Sequence, residues 1–164
     1  MTKNRNLLLI ALFFTVALFT GCSKEYYDTK NAGEDFLAAN INNEGVVGLA
    51  SGIQYKIIFD NLYGFYPQFA EPSLITIQAK YSVRFIDGSD YLAESDYKHT
   101  IPLSSRPDNF WLEVIPKMRK GAKWRVWVPY DNAYGIDGTG KNAGSYDIDP
   151  YTVLVYDIEL IDAY

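Results

Sequence analysis

The sequence predicts an α+β fold: an antiparallel half-barrel sheet of about five strands wrapped on one short helix. Three observations predict it. Residues 122–129 and 152–161 alternate apolar and polar positions with a period of two. A longer alternating run over 73–86 ends in Asp87-Gly88, a strong hairpin signal that returns the chain through Tyr91 and Leu92. Between these segments lies one brief helical pattern, in which Trp111, Val114 and Ile115 share a face.

Each element has a local reason. Residues 46–59 read as a strand or hairpin pair. In 73–86, Ile75, Ile77, Ala79 and Tyr81 fall on one face, and Leu74, Thr76, Gln78 and Lys80 on the other. Residues 61–72 are rich in Tyr, Phe, Pro and Gly and read as an ordered loop, whereas 94–107 is irregular apart from Ile101 and Leu103. The short helix has Asp108 as its N-cap after Pro107 and is closed by Lys120 and Gly121. In the next strand Trp124, Val126 and Val128 point one way, and Lys123, Arg125 and Trp127 the other. A turn-rich corner then carries Ala133-Tyr134-Gly135. The last strand sets Leu154, Tyr156, Ile158 and Leu160 against Val153, Val155, Asp157 and Glu159.

The N-terminus carries a different signal. Lys3 and Arg5 precede an apolar run from Leu7 to Phe19, and Leu18-Phe19-Thr20-Gly21-Cys22 resembles a bacterial lipobox. A run of that length is too short to span a bilayer as a stable helix. Small Gly21 lets a peptidase reach the bond, and the Cys22 thiol is the group that takes up lipid; Cys22 is the only cysteine in the chain. The organisation expected is therefore a signal peptide over 1–21, a tether over 22–30, a helix over 31–45 with Phe36, Leu37 and Ile41 at helical spacing, and one domain over 46–164. That helix is long enough to pack on the domain edge and too short for a dimerising stalk, so a monomer is expected.

Charge narrows the partners. The formal charge is -5, and loss of 1–21 removes Lys3 and Arg5 with no acid, leaving -7. An acidic chain with no basic stretch excludes nucleic acid and electrostatic adhesion to anionic lipid, so membrane attachment must be covalent. An exported chain without a cysteine pair has no disulfide framework, and its core must hold it alone.

Few reactive groups remain. His99 is the only histidine and is read as a lone surface side chain; with Cys22 committed to lipid, neither a nucleophilic relay nor a zinc site has support. Residues 135–142 satisfy the GxxxxGK spacing but lack the following Ser or Thr and the strand-loop-helix context. Asp147 and Asp149 are read as solvated rather than as calcium ligands. No cofactor is expected.

The stretch WLEVIPKMRKGAKWRVWVPYDNAYG from Trp111 to Gly135 resembles the core of FKBP-type peptidyl-prolyl cis-trans isomerases. Residues 51–56, Lys80-Tyr81 with Asp87-Gly88, and Pro150 leading into the last strand agree in order and spacing, and the similarity spans roughly 46–161. The resemblance implies a lipid-anchored isomerase that assists the folding of exported proteins, with proline-containing peptides or unfolded envelope proteins as substrates. It also implies location in the cell envelope, with the outer membrane expected. By position Trp111 matches the floor on which the proline ring rests. Tyr81 and Tyr91 match wall aromatics, and Tyr134 the tyrosine whose hydroxyl donates to a substrate carbonyl. Ile148 matches the apolar residue of the long loop, Tyr156 the aromatic of the last strand, and Asp108 a residue whose backbone N–H binds ligand. Trp111, Tyr81 and Tyr134 are thus the implied catalytic set; Tyr91, Asp108, Ile148 and Tyr156 bind substrate.

Two departures bear on activity. Leu92 stands where relatives have an Asp. The usual Val-Ile-Pro-Gly before the Trp is replaced by Pro107-Asp108-Asn109-Phe110, which puts charge and bulk at the pocket rim. An alternative is therefore a catalytically weak or silent FKBP-like domain that binds peptides or a partner; a glycan-binding surface would draw on Tyr63, Tyr66 and Trp127. The isomerase reading requires Trp111 to floor a hollow not filled by Leu92 or Phe110.

Overall fold

The computed structural model describes residues 20–68, 76–93, 99–102, 110–139 and 147–164, with backbone alone for 20–25 and 99–102. Helix α1 (Thr20–Asn40) is followed by strands β1 (Val46–Gly48), β2 (Gln54–Phe59), β3 (Thr76–Phe85), β4 (Asp90–Leu92) and β5 (His99–Pro102). Then come α2 (Phe110–Val114), which runs into a 3-10 turn at Ile115–Lys117, and strands β6 (Lys123–Val128) and β7 (Leu154–Ala163). The strands form one seven-stranded sheet in the order β1-β2-β6-β7-β3-β4, with β5 also pairing β3. Every pairing is antiparallel.

The α+β half-barrel on a short helix is thus what folds, with more short strands than the five expected. The hairpins read over 46–59 and across Asp87-Gly88 supply β1 and β4, and the strand not expected is β5. β1 and β4 have three residues each, and β5 lies in the stretch read as irregular, where Ile77 of β3 pairs with Ile101. His99 is the first residue of β5. The short helix ends sooner than expected, because Pro116 lacks the N–H that an α-helical ladder needs and the chain tightens into the 3-10 turn. Asp108, read as its cap, lies outside the described residues.

Alternation decides the inside of the sheet. In β6, Trp124, Val126 and Val128 face the core with Leu154, Tyr156, Ile158 and Leu160 of β7 and Ile77, Ala79 and Val83 of β3. The register Trp124↔Ile158, Val126↔Tyr156 and Val83↔Tyr156 brings them side by side. Tyr55 of β2 stacks on Trp124, ring centroids 4.3 Å apart. On the outer face Asp157 takes both nitrogens of an Arg125 fork at 2.6 and 2.9 Å and also pairs with Arg84, while Lys123 meets Glu159 at 3.0 Å. The hydrogen bonds that Arg125 donates to Asp157 raise its guanidinium above its ordinary pKa, outweighing the opposing effect of burial.

Helix α1 departs from the expected plan. It takes in the stretch read as a tether over 22–30, stops at Asn40 rather than 45, and packs against the chain leading into β7 and the start of β2. Gly33 permits this, since a Cβ there would come within 2.7 Å of Val153 Cγ2. At its far end Asn40 donates to Gln54 Oε1 at 2.8 Å, and Gln54 donates to the Leu37 carbonyl at 2.8 Å. Trp127 and Val155, outer-face residues at the same end of the sheet, are each 7% exposed. Trp127 is therefore buried, not the exposed aromatic that a glycan surface would need. Asn40→Ala leaves the buried Gln54 carbonyl without that donor, and is expected to destabilise the fold by about 1–3 kcal/mol. A lower urea midpoint at unchanged slope would show it.

Candidate active site

Four aromatic rings meet where α2 crosses the inner face of the sheet. Phe110 and Trp111 are the first two residues of α2, and the buried positions Phe110, Trp111 and Val114 turn that helix toward the strands. Tyr81 comes from β3 and Tyr156 from the neighbouring β7. The Trp111 indole meets Tyr81 edge-on at 5.6 Å and Tyr156 edge-on at 5.8 Å, the geometry that ring quadrupoles favour. Phe110 lies tilted against both Trp111 at 4.6 Å and Tyr156 at 4.4 Å.

The structure thus brings together Trp111, Tyr81 and Tyr156 of the implied set. Tyr91 stands further along the wall, edge-on to Phe85 at 5.9 Å, and Tyr134 packs half-buried on the margin of the same core. Ile148 is 2% exposed, held in place by its loop: the Thr139 N–H donates to the Ile148 carbonyl at 3.0 Å, and the Ile148 N–H to Thr139 Oγ1 at 2.8 Å. Asp108 lies outside the described residues, as does the side chain of Cys22. Leu92 pairs with Val83 and packs on the core as an ordinary apolar residue.

One expectation about this site is corrected. Phe110 is not bulk at a rim: both Phe110 and Trp111 are 0% exposed, and Tyr156 is 1% exposed. At the first turn of a helix that packs on a sheet, a large apolar ring gains more by turning inward than by facing water. Sequence spacing placed the residue correctly but could not say which way it turned. A cavity of about 210 Å³ opens on the other side of Tyr81, which lines it with Trp124 and Ile158; Trp111 is not part of its wall. Charged groups, Lys80, Lys123, Arg125, Asp157 and Glu159, share that lining with the apolar side chains.

Comparison with known proteins agrees with this architecture. Residues 73–161 match the FKBP-type peptidyl-prolyl cis-trans isomerase family, and residues 17–57 match the domain that stands amino-terminal to such isomerases. The chain is 33% identical over 142 residues to the outer membrane protein MIP of Legionella longbeachae, covering 85% of this chain and 56% of that protein. It is 34% identical over 131 residues to the peptidyl-prolyl cis-trans isomerase Mip of Coxiella burnetii, covering 77% and 51% respectively. The chain therefore spans about half the length of these relatives. Among solved structures, a peptidyl-prolyl cis-trans isomerase of Pseudomonas syringae superposes with a TM-score of 0.70 at 30% identity, covering 84% of this chain and 94% of that one. With the isomerase-family match running through β3, α2, β6 and nearly all of β7, the chain belongs to the FKBP-type peptidyl-prolyl cis-trans isomerase family.

Proposed function

We propose that this chain is a peptidyl-prolyl cis-trans isomerase, lipid-anchored through Cys22 after loss of residues 1–21, that assists the folding of exported proteins in the cell envelope. The observation that carries the catalytic part is the ring cluster of Tyr81, Trp111 and Tyr156 at the crossing of α2 and the sheet. Isomerisation breaks no covalent bond. Its barrier, about 18–20 kcal/mol, is the partial double bond of the amide. A twisted amide has lost much of its resonance dipole, so a dry aromatic site disfavours the planar ground state relative to it. Each 1.36 kcal/mol gained in this way is about tenfold in rate. Trp111 serves as the floor for the proline ring, Tyr81 and Tyr91 as its walls, and Tyr134 as the donor to a substrate carbonyl. Asp108, Ile148 and Tyr156 complete the binding surface.

The envelope location draws on the lipobox-like run before Cys22 and on a relative named as an outer membrane protein. The substrates are proline-containing segments of unfolded proteins, and the chain acts as a monomer. A proline-tetrapeptide assay on residues 23–164 tests the activity. A rate above the uncatalysed one is expected, and a rate equal to it overturns the reading. Cys22→Ser in the full-length chain should move the protein from the membrane to the soluble fraction. A specific observation favours a second reading, a peptide-binding domain without turnover: the indole that should floor the site has no exposed surface and Phe110 packs on it, so the open hollow that turnover requires is filled in this conformation. Peptide binding without catalysis would select it.

A further inference from the structure

Trp111 cannot touch a substrate until something beside it moves. Of the described rings packed against it, Tyr81 and Tyr156 belong to strands in the middle of the sheet: β7 is paired to both β6 and β3, and β3 to β7, β4 and β5. Shifting either ring's backbone means breaking those ladders. Phe110 differs. It is the first residue of a five-residue helix. The first N–H groups of a helix have no intrahelical acceptor, so Phe110 is tied by fewer backbone hydrogen bonds than a residue in the middle of a sheet. Its ring spans Trp111 and Tyr156, the proposed floor and last-strand wall of the site.

We infer that Phe110 plugs the site: its ring occupies the slot above Trp111 that a substrate proline would fill, and substrate enters by displacing it. The inference rests on the isomerase reading for the identity of the substrate, not for the position of the ring. The phenyl ring is flat and the pyrrolidine ring smaller and puckered, but both are apolar and make close contacts at the same carbon-carbon separation, about 3.5–4.0 Å, so one replaces the other between the same neighbours. Burying a Phe side chain favours the closed state over the open one by a factor on the order of ten to a hundred, and apparent peptide affinity falls by that factor. A dry apolar cavity left by a truncated ring accepts a small apolar ring.

The experiment compares the full chain with Phe110→Leu and Phe110→Ala, reading kcat/KM for a Leu-Pro tetrapeptide and the thermal shift produced by that same peptide. Loss of a ring that merely packs lowers activity. Loss of a ring that occupies the site raises it, by about tenfold in the Ala variant, with the Leu variant between. Phe110→Leu carries the test if Phe110→Ala does not fold. A folded variant whose kcat/KM and peptide-induced shift equal or fall below those of the wild-type chain overturns the inference; if the wild-type chain turns over, the isomerase reading then stands alone. If every chain is inert but the peptide-induced shift grows from Phe to Leu to Ala, the inference stands and the isomerase reading falls.

Discussion

Trp111→Ala is expected to lower folding stability by about 3–5 kcal/mol and to abolish isomerase activity. The indole is fully buried, with Tyr81, Phe110 and Tyr156 packed around it, so truncation leaves a void that two mid-sheet strands cannot close. Loss of activity through unfolding would say little about the site, and Trp111→Phe separates the two effects. It keeps an aromatic ring in the cluster, so the fold should survive with a smaller loss, while the narrower floor should reduce kcat/KM about tenfold. Urea unfolding followed by circular dichroism measures the first quantity and the tetrapeptide assay the second. A Trp111→Phe chain as active as the wild type would remove the indole from the mechanism.

Gly138→Ala is expected to cost about 2–5 kcal/mol and to disturb the loop that seats Ile148. Gly138 has a φ of +63°, in the left-handed region. An added Cβ would meet the Ile148 carbonyl oxygen at 2.1 Å and the Asp149 carbonyl carbon at 2.9 Å, both backbone atoms with no freedom to yield. The same carbonyl accepts from the Thr139 N–H, so relieving the clash breaks the contact that closes the loop. Gly88 is the control. It also has a positive φ, +89°, but nothing lies within 4 Å of an added Cβ. Gly88→Ala should therefore show only the backbone cost, about 1–2 kcal/mol. Equal losses in the two variants would show that conformation, not the approach of the 148–149 backbone, sets the effect at Gly138.

Much of the site was legible before the fold was known, because its residues sit at spacings that local structure dictates. Trp111 on a helical face, Tyr81 and Tyr156 at inward positions of alternating strands, and Ile148 in the loop before the last strand all lie within the same core. Phe110 was legible as a departure and as a side chain able to fill the hollow, but not as a ring turned fully inward. A residue's place along the chain follows from spacing, whereas the direction of its ring at a helix start depends on which neighbours offer apolar surface. Those neighbours, Trp111 beside it and Tyr156 from the last strand, come together only in the folded chain.

By itself the sequence determined the α+β class, the long strands and which of their faces turns inward, since a period of two is a property of the extended backbone. Tertiary structure decided what the outward faces meet. Trp127 and Val155 read as outward and are outward, yet both are buried at the end of the sheet where α1 docks through Gly33, Leu37 and Asn40. It also decided the short strand β5, which exists because β3 offers it an edge. The physical reason is the same in each case: local periodicity sets where a side chain points, but burial depends on a partner remote in sequence whose arrival no local pattern encodes.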